Sequence, residues 1–378
     1  MLPYAAAADT ARVAKAAVTP ETGEPSPTAV DDGVAWLCLT HDVTRRRGSS
    51  KGFSLLSGWA PAYPETTGYV IGTLLAYGAG RADPEYDQRA EEMGDWELEV
   101  QNNDGGVMEG AVQSPARPSI VFNTGMVIHG WLDLHERLSR GRHLEAAERA
   151  GHFLLSRQDR DGAWRGPNQY AGIPHVYDAR VAWALVRLAN VAGDRRYRDA
   201  AIRALDWVLS MQESDGWFNA CVFKPGMRPS THGLAYTLRG LLESAVLLEA
   251  NEYLEAASRT SEVLIRKLEV LGRLPGAFEC GWIPAVRYEC LTGTAQLGGV
   301  WLRLYEVTGD PRFLNAGLKA VEQAARRQAT SRWTEIHGAL PGSFPIYGRY
   351  APLQFPNWAT KFLVDSLMLR DRLVFGLP

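Results

Sequence analysis

Cysteine is scarce in this chain: Cys38, Cys221, Cys280 and Cys290 are the 4 found in 378 residues, and no two of them form a Cys-x-x-Cys pair. Usage this sparse builds neither a disulfide framework nor a zinc-ligand set, and a reducing compartment is the expectation. Long apolar runs are also missing. No stretch approaches the roughly 18 apolar residues that a membrane-spanning helix requires. The Ala-rich start of the chain carries Arg12 and Lys15 and has no uninterrupted apolar segment, so it does not read as a signal peptide, and the expected location is the cytoplasm. Excess positive charge is absent as well. The net charge is −3, which argues against a nucleic-acid partner. The one basic run, Arg45-Arg46-Arg47, reads as a solvated loop. No G-x-G-x-x-G, P-loop, G-x-S-x-G or H-E-x-x-H pattern occurs, and the expectation is no cofactor and no metal.

What the chain does have is aromatic residues, 12 Trp and 14 Tyr among them. Several fall in Gly/Pro-containing loops rather than in apolar stripes. Trp59, Tyr63, Trp164 and Tyr170 lie in the first half, and Trp217, Trp282, Tyr347 and Tyr350 in the second. Aromatic faces stack on sugar rings, and their OH and NH groups add hydrogen bonds. The plainer alternative is that these residues plug the ends of a helical ring.

An internal repeat organises the chain. Gln101, Gln158 and Gln212, spaced 57 and 54 residues apart, each end a helical stretch. Trp96, Phe153 and Trp207 precede them at one fixed offset, and Ala90, Ala147 and Ala201 at another. A weaker copy ends at Gln328, where Phe313 aligns with Tyr86 and Tyr197, and another begins at Tyr253. Each unit opens with a helix apolar all round, then a Gly/Asp/Pro turn, then an amphipathic helix such as 142–157 or 195–212. Helices apolar all round are buried and amphipathic ones face water. The apolar segments 70–77, 121–134, 181–191, 234–248, 295–305 and 358–369 therefore line the inside of a ring, and the amphipathic ones coat it. The predicted fold is all-α, an (α/α)6 toroid forming a single domain. Residues 51–378 make the toroid, and residues 1–50 contribute a helix, within 4–18, and a connecting segment packed on it.

The runs QDRDGAW at 158–164 and QESDGW at 212–217 resemble the Q-x-x-x-G-x-W repeats of terpenoid cyclases and protein prenyltransferases, which are also α/α toroids. Those repeats are structural. The resemblance extends to a family of bacterial and archaeal proteins encoded among exopolysaccharide and glycan biosynthesis genes. It rests on SGWAPAYPETTGY at 57–69, IVFNTGM at 120–126, IPHVYDARVAW at 173–183, THGLAYTLRGLLES at 231–244 and CLTGTAQ at 290–296. GSFPIY at 342–347 and PNW at 356–358 fit too. The resemblance covers residues from about 53 to the end, and Asp178 stands where it leads one to expect a second histidine after Tyr177. It implies a toroid related to that of glucuronyl C5-epimerases and a role in carbohydrate metabolism.

In such a toroid the N-termini of the inner helices converge on a pocket, where a helix dipole and a shared cavity favour catalysis. The polar residues at those positions are the candidates. His175 and His232 are the acid/base pair, since histidine titrates near neutrality. Tyr177, Tyr236 and Glu65 complete the catalytic set. Asp42, Tyr63, Asn123, Asp178 and Arg180 are expected to bind substrate, together with Glu289, Gln296, Tyr347, Asn357 and Trp358. Each has a structural reading too: Glu65 as an acidic residue favourable at a helix start, Arg180 as the partner of Asp178, Asp42 as a turn residue. His129, His135, His143 and His152 fall inside helices and read as structural or exposed.

Four functions fit these residues. The first is proton transfer on a sugar or uronate, by an epimerase or lyase, with the histidines as acid and base and Arg180 as the cation for an enolate. The second is a glycoside hydrolase drawing two carboxylates from Glu65, Asp178, Glu279 and Glu289. A natural-product cyclase or tailoring enzyme using an apolar cavity is the third, weakened because the acidic cluster of terpene synthases is missing. A non-catalytic glycan-binding protein is the fourth. The expected partner is a small-molecule or oligosaccharide substrate.

Overall fold

The computed structural model describes residues 24–112, 118–166 and 172–377. Six helices line the ring: α2 (Pro64–Arg81), α4 (Val121–Leu138), α6 (Ala179–Ala192), α8 (Thr231–Leu248), α10 (Leu291–Thr308) and α12 (Asn357–Phe375). Six coat it: α1 (Ala29–Asp42), α3 (Pro84–Val100), α5 (Gly141–Arg157), α7 (Arg195–Ser210), α9 (Asn251–Leu271) and α11 (Pro311–Ala325). Each inner helix packs on the next, and α12 packs back on α2 to close the toroid. The outer helix expected from residues 4–18 and the loop residue Tyr170 lie outside the described residues. The outer ring is completed by α1, so the toroid draws on chain before residue 51.

The repeat residues have a physical job in this closure. Gln101 Nε2 donates to the carbonyls of Gly105 and Ala146, at 2.8 and 3.0 Å, tying the end of α3 to its own loop and to the next outer helix. Gln158 does the same to Gly162 and Ala200. Gln212 reaches Ala256 and the Thr260 hydroxyl. Gln328 donates to Ala29 and Gly338, at 2.9 and 2.8 Å, and so joins the last outer helix to the first. The acceptor ends of the first three are held by Arg149, Arg203 and Arg259, one from each succeeding outer helix. Helix starts follow the same repetition. Asp83, Asp194 and Asp310 cap α3, α7 and α11 by accepting from the backbone N–H two residues on.

Inner helices approach one another through small residues. A Cβ on Gly130 of α4 would lie 2.1 Å from the Gly68 carbonyl oxygen of α2, so only hydrogen fits there. Four of the connections from an outer helix to the next inner helix carry the strands found among the described residues. Strands β1 (Gly52–Ser54), β2 (Gly58–Trp59) and β9 (Gln354–Pro356) form one antiparallel sheet in the order β2-β1-β9. Three antiparallel pairs join β3 (Val107–Met108) to β4 (Ser119–Ile120), β5 (Phe278–Glu279) to β6 (Ile283–Pro284), and β7 (Glu289–Cys290) to β8 (Ser343–Phe344). All lie at the end of the ring where the inner helices begin. Among the described residues no helix is long and apolar enough to cross a membrane.

Candidate active site

Tyr63 is the N-cap of α2, Pro64 sets the first helical φ, and Glu65 follows in the first turn. This puts the Glu65 carboxyl at the inner-helix N-terminal end of the ring. Tyr63 Oη donates to Glu65 Oε2 at 2.9 Å. Tyr69, one turn on, sends its hydroxyl to Oε1 at 3.4 Å. Across the ring axis the Tyr69 and Tyr236 hydroxyls meet at 3.3 Å, so a hydroxyl chain runs from α8 to Glu65. Burial raises the Glu65 carboxyl above its ordinary value of 4.5. The two tyrosines, the Lys51 ammonium and the Arg180 guanidinium act in the opposite sense without reversing the shift.

Aromatic rings gather at the same end of the ring as this carboxyl. His232 lies against Tyr236 at 4.2 Å between centroids and against Tyr350 at 5.3 Å. Trp358 Nε1 donates to the Tyr350 hydroxyl at 2.8 Å. Lys51 Nζ sits 4.7 Å from the Tyr63 centroid and 5.9 Å from that of Trp358. His232 Nδ1 pairs with Gln296 Oε1 at 2.6 Å, so Nδ1 carries the proton and Nε2 is the acceptor. Burial pushes His232 down to about 3, so the ring is neutral at physiological pH. His175 is pushed down to about 4, also by burial, with Nδ1 donating to the Val222 carbonyl at 2.8 Å. Its ring stacks on Tyr177 at 4.5 Å. The two histidines occupy the same end of the toroid, and Phe223 lies 5.2 Å from Tyr177 and 5.9 Å from His232.

Of the expected residues, Glu65, Tyr63, His232, Tyr236, Gln296 and Trp358 come together here, with His175 and Tyr177 at the margin. Asp178 is buried in the short 3-10 turn that enters α6. Five others are placed elsewhere. Asp42 ends an outer helix and accepts from Arg89 at 2.7 Å, because α1 turns that face toward α3. Asn123 is consumed structurally, its Nδ2 donating to the Met108 carbonyl and holding β3. Asn357 likewise ties Ser49, Ser50 and Thr66 together. Glu289 has Arg273 and Arg327 as its charged neighbours, toward the outer ring. Tyr347 is 63% exposed. Tyr350, three residues later, is the tyrosine of this loop that lies beside His232. Trp164 and Trp282 are structural plugs whose indole N–H groups donate to Leu154 and Asp215 carbonyls.

Arg180 marks a larger correction. It lies on the far side of the Tyr69–Tyr236 contact and lines a cavity of about 990 Å³ that runs along the axis toward the C-terminal ends of the inner helices. Tyr69, Arg180, Gln296 and Phe362 form its floor, and the exposed Glu136, Arg137 and Arg372 stand at its mouth. The physical reason is crowding. Tyr, His and Phe rings fill the axis near the helix starts. Farther along, Gly72, Ala76, Gly299 and Ser366 leave room, and charged residues keep it wet. The sequence signal for this cavity was charges at helical spacing inside otherwise apolar helices: His129, Asp133 and Glu136; Arg239 and Glu243; Lys361 and Asp365. Tyr69 was legible as well, one turn after Glu65. Among the described residues no group of three His, Cys, Asp or Glu side chains gathers to hold a metal ion. Cys290, behind His232, is buried and its thiol is pushed up to about 12.

No family model and no curated protein sequence matches the chain. Solved structures do. An unsaturated glucuronyl hydrolase from Bacillus sp. GL1, responsible for the degradation of glycosaminoglycan, aligns over 93% of this chain and 97% of its own with 17% identity and a TM-score of 0.72. A mutant of the unsaturated glucuronyl hydrolase from Streptococcus agalactiae, complexed with dGlcA-GalNAc6S, covers 90% of each chain at 13% identity and a TM-score of 0.67. A D-mannose isomerase covers 90% of this chain and 96% of its own at 12% identity and a TM-score of 0.70. The fold is the α/α toroid that these proteins share.

Proposed function

We propose that this chain is a carbohydrate-active hydrolase acting on a uronate-bearing oligosaccharide, with Glu65 as its proton donor. The observation that carries the reading is the Glu65 carboxyl: burial favours its protonated form, and hydroxyls orient both of its oxygens among aromatic side chains. A general acid works best when its pKa is lifted toward the working pH. The histidines are less suited to the proton abstraction first expected of them, because a base pushed down to about 3 is a weak one. Lys51 supplies a cation at the rim for the uronate carboxylate. The likeness to unsaturated glucuronyl hydrolases and the resemblance to proteins of glycan gene clusters favour the same substrate class.

An unsaturated uronide carries its double bond beside the ring oxygen, so one carboxylic acid suffices. Glu65 protonates the far carbon of the double bond, and the cation is shared with the ring oxygen. Water adds to that cation and returns a proton to the Glu65 carboxylate. The hemiketal then opens and releases the neighbouring sugar. Cleavage of a saturated glycoside needs two carboxylates. Glu279 is exposed and paired with Arg228 at 2.7 Å, and Glu289 has the cations Arg273 and Arg327 as its charged neighbours, which leaves Asp178 as the second candidate. The test is turnover of an unsaturated uronyl disaccharide by wild type and Glu65→Gln. Loss of about 10²–10⁴-fold in kcat with an unchanged circular dichroism spectrum is the expected result. Wild-type turnover by the variant removes Glu65 from the chemistry.

A second reading, an epimerase or aldose–ketose isomerase, is favoured by one observation: Gln296 fixes the His232 tautomer so that Nε2 is left as an acceptor. Solvent deuterium exchanging into a C–H bond of a saturated sugar, which has no double bond for Glu65 to protonate, and lost in His232→Gln, distinguishes it from hydrolysis.

A further inference from the structure

The axial cavity is not used by the function proposed above. All six inner helices contribute to its wall, and its volume of about 990 Å³ is that of a small-molecule site. Most of its charges are already paired. Arg187 binds Asp133 and Glu136, Arg239 and Arg303 share Glu243, and Lys361 holds Asp365. Arg180 is the exception. It is 5% exposed, and its Nε contacts Met126 Sδ at 3.1 Å. Its guanidinium carbon lies between 5.2 and 5.7 Å from the centroids of Tyr69, Trp183, Tyr236 and Phe362. Among the described residues no carboxylate lies within ion-pair distance of it and its terminal nitrogens donate to nothing. A guanidinium stays charged at any accessible pH, and burying one uncompensated is strongly unfavourable. Aromatic faces offset part of that cost, and an oxyanion in the cavity would offset the rest through a bidentate contact.

We propose that this cavity is a second binding site, for a small sugar phosphomonoester, with the phosphoryl group on Arg180 and Lys361. Lys361 Nζ stands 4.7 Å from the Phe362 centroid and 5.5 Å from that of Tyr69, beside the same rings that surround Arg180. The lining carries seven cationic side chains against five carboxylates, and Arg137 pairs outward with Asp87 at 3.0 Å, so an excess of one positive charge remains. A phosphoryl group has three terminal oxygens, enough for a bidentate contact with Arg180 and a further one with Lys361, whereas a carboxylate has two. The wall carboxylates, Asp365 and Glu243 foremost, are acceptors for sugar hydroxyls. The site borders Glu65 through Tyr69, which lines the cavity and donates to that carboxyl, but its existence does not depend on the hydrolase reading.

Calorimetric titration of the full chain at neutral pH with glucose 6-phosphate, inorganic phosphate, glucuronate and glucose tests this. Glucose 6-phosphate is expected to bind saturably, phosphate more weakly and glucose not at all. Arg180→Met removes the binding, and Lys361→Met, the milder change if Arg180→Met does not fold, weakens it about tenfold or more. Glu65→Gln binds as wild type does. Absence of saturable binding by the phosphomonoester overturns the proposal, as does full binding by Lys361→Met or loss of binding in Glu65→Gln. Glucuronate binding as tightly as glucose 6-phosphate overturns the assignment to phosphate.

Discussion

Replacing Tyr63 by Phe removes one hydroxyl from the Glu65 carboxyl and leaves the ring in place. In the native site that hydroxyl donates to Oε2 at 2.9 Å, and its effect is to lower the carboxyl pKa against the upward push of burial. A hydrogen bond to a charged acceptor contributes about 1.5–3 kcal/mol and one to a neutral acceptor about 0.5–1.5 kcal/mol. The carboxylate therefore loses about 1 kcal/mol more than the carboxylic acid does. At about 1.4 kcal/mol per pKa unit this moves the titration of Glu65 upward by somewhat less than one unit. If Glu65 acts as the protonated donor, activity falls as pH rises through its pKa. The alkaline limb of the kcat profile should then move to higher pH in Tyr63→Phe, while the plateau below it changes little. Loss of the ultraviolet absorbance of an unsaturated uronyl disaccharide reads the profile, and a ¹³C titration of the Glu65 carboxyl reads the same shift without turnover. A limb that stays put or moves to lower pH refutes the assignment of Glu65 as the acid. Tyr69→Phe, whose hydroxyl is 3.4 Å away, should give a smaller displacement of the same sign.

Glu97 on α3 is fully buried, neither of its oxygens has a partner among the described residues, and burial alone raises its pKa well above 4.5. Its folded-state value exceeds its unfolded one, so the unfolded chain loses the proton first as pH rises, and stability declines by about 1.4 kcal/mol per pH unit between the two values. Glu97→Gln lacks that slope. Its urea midpoint should gain on wild type between pH 5 and pH 7, a gap that stays constant being the contrary result. Gly130→Ala gains about 1 kcal/mol of helix propensity. It also drives a methyl to 2.1 Å from the Gly68 carbonyl oxygen, in backbone that cannot rotate away. Separating the helices costs about 1–3 kcal/mol, so urea unfolding should show a net loss of stability, and equal or greater stability would mean that the α2–α4 contact is looser than it stands here.

The toroid was written in the sequence because its cause is periodic. Gln101, Gln158, Gln212 and Gln328 recur with the helical hairpin and each ties its outer helix to the next, so one copy explains the others. Apolar helices alternating with amphipathic ones fix inside and outside without reference to any distant residue. Glu65, Tyr63, His232 and Tyr236 were recoverable for a related reason, since their offset from a helix start places them at one end of the ring. The tertiary structure alone decided the rest. That Tyr350 and not Tyr347 meets His232 depends on how the loop before α12 folds over α8. That Asp42 faces Arg89 depends on α1 joining the outer ring beside α3. That the broad cavity lies at the C-terminal half of the axis depends on side chains from all six inner helices competing for one space, where Tyr69, Tyr236 and Phe362 fill one level and Gly72, Gly299 and Ser366 leave the next open. Periodicity states which face of a helix turns inward. How much room remains when six such faces meet is set by side chains up to about 300 positions apart in the chain, and no local pattern records that sum.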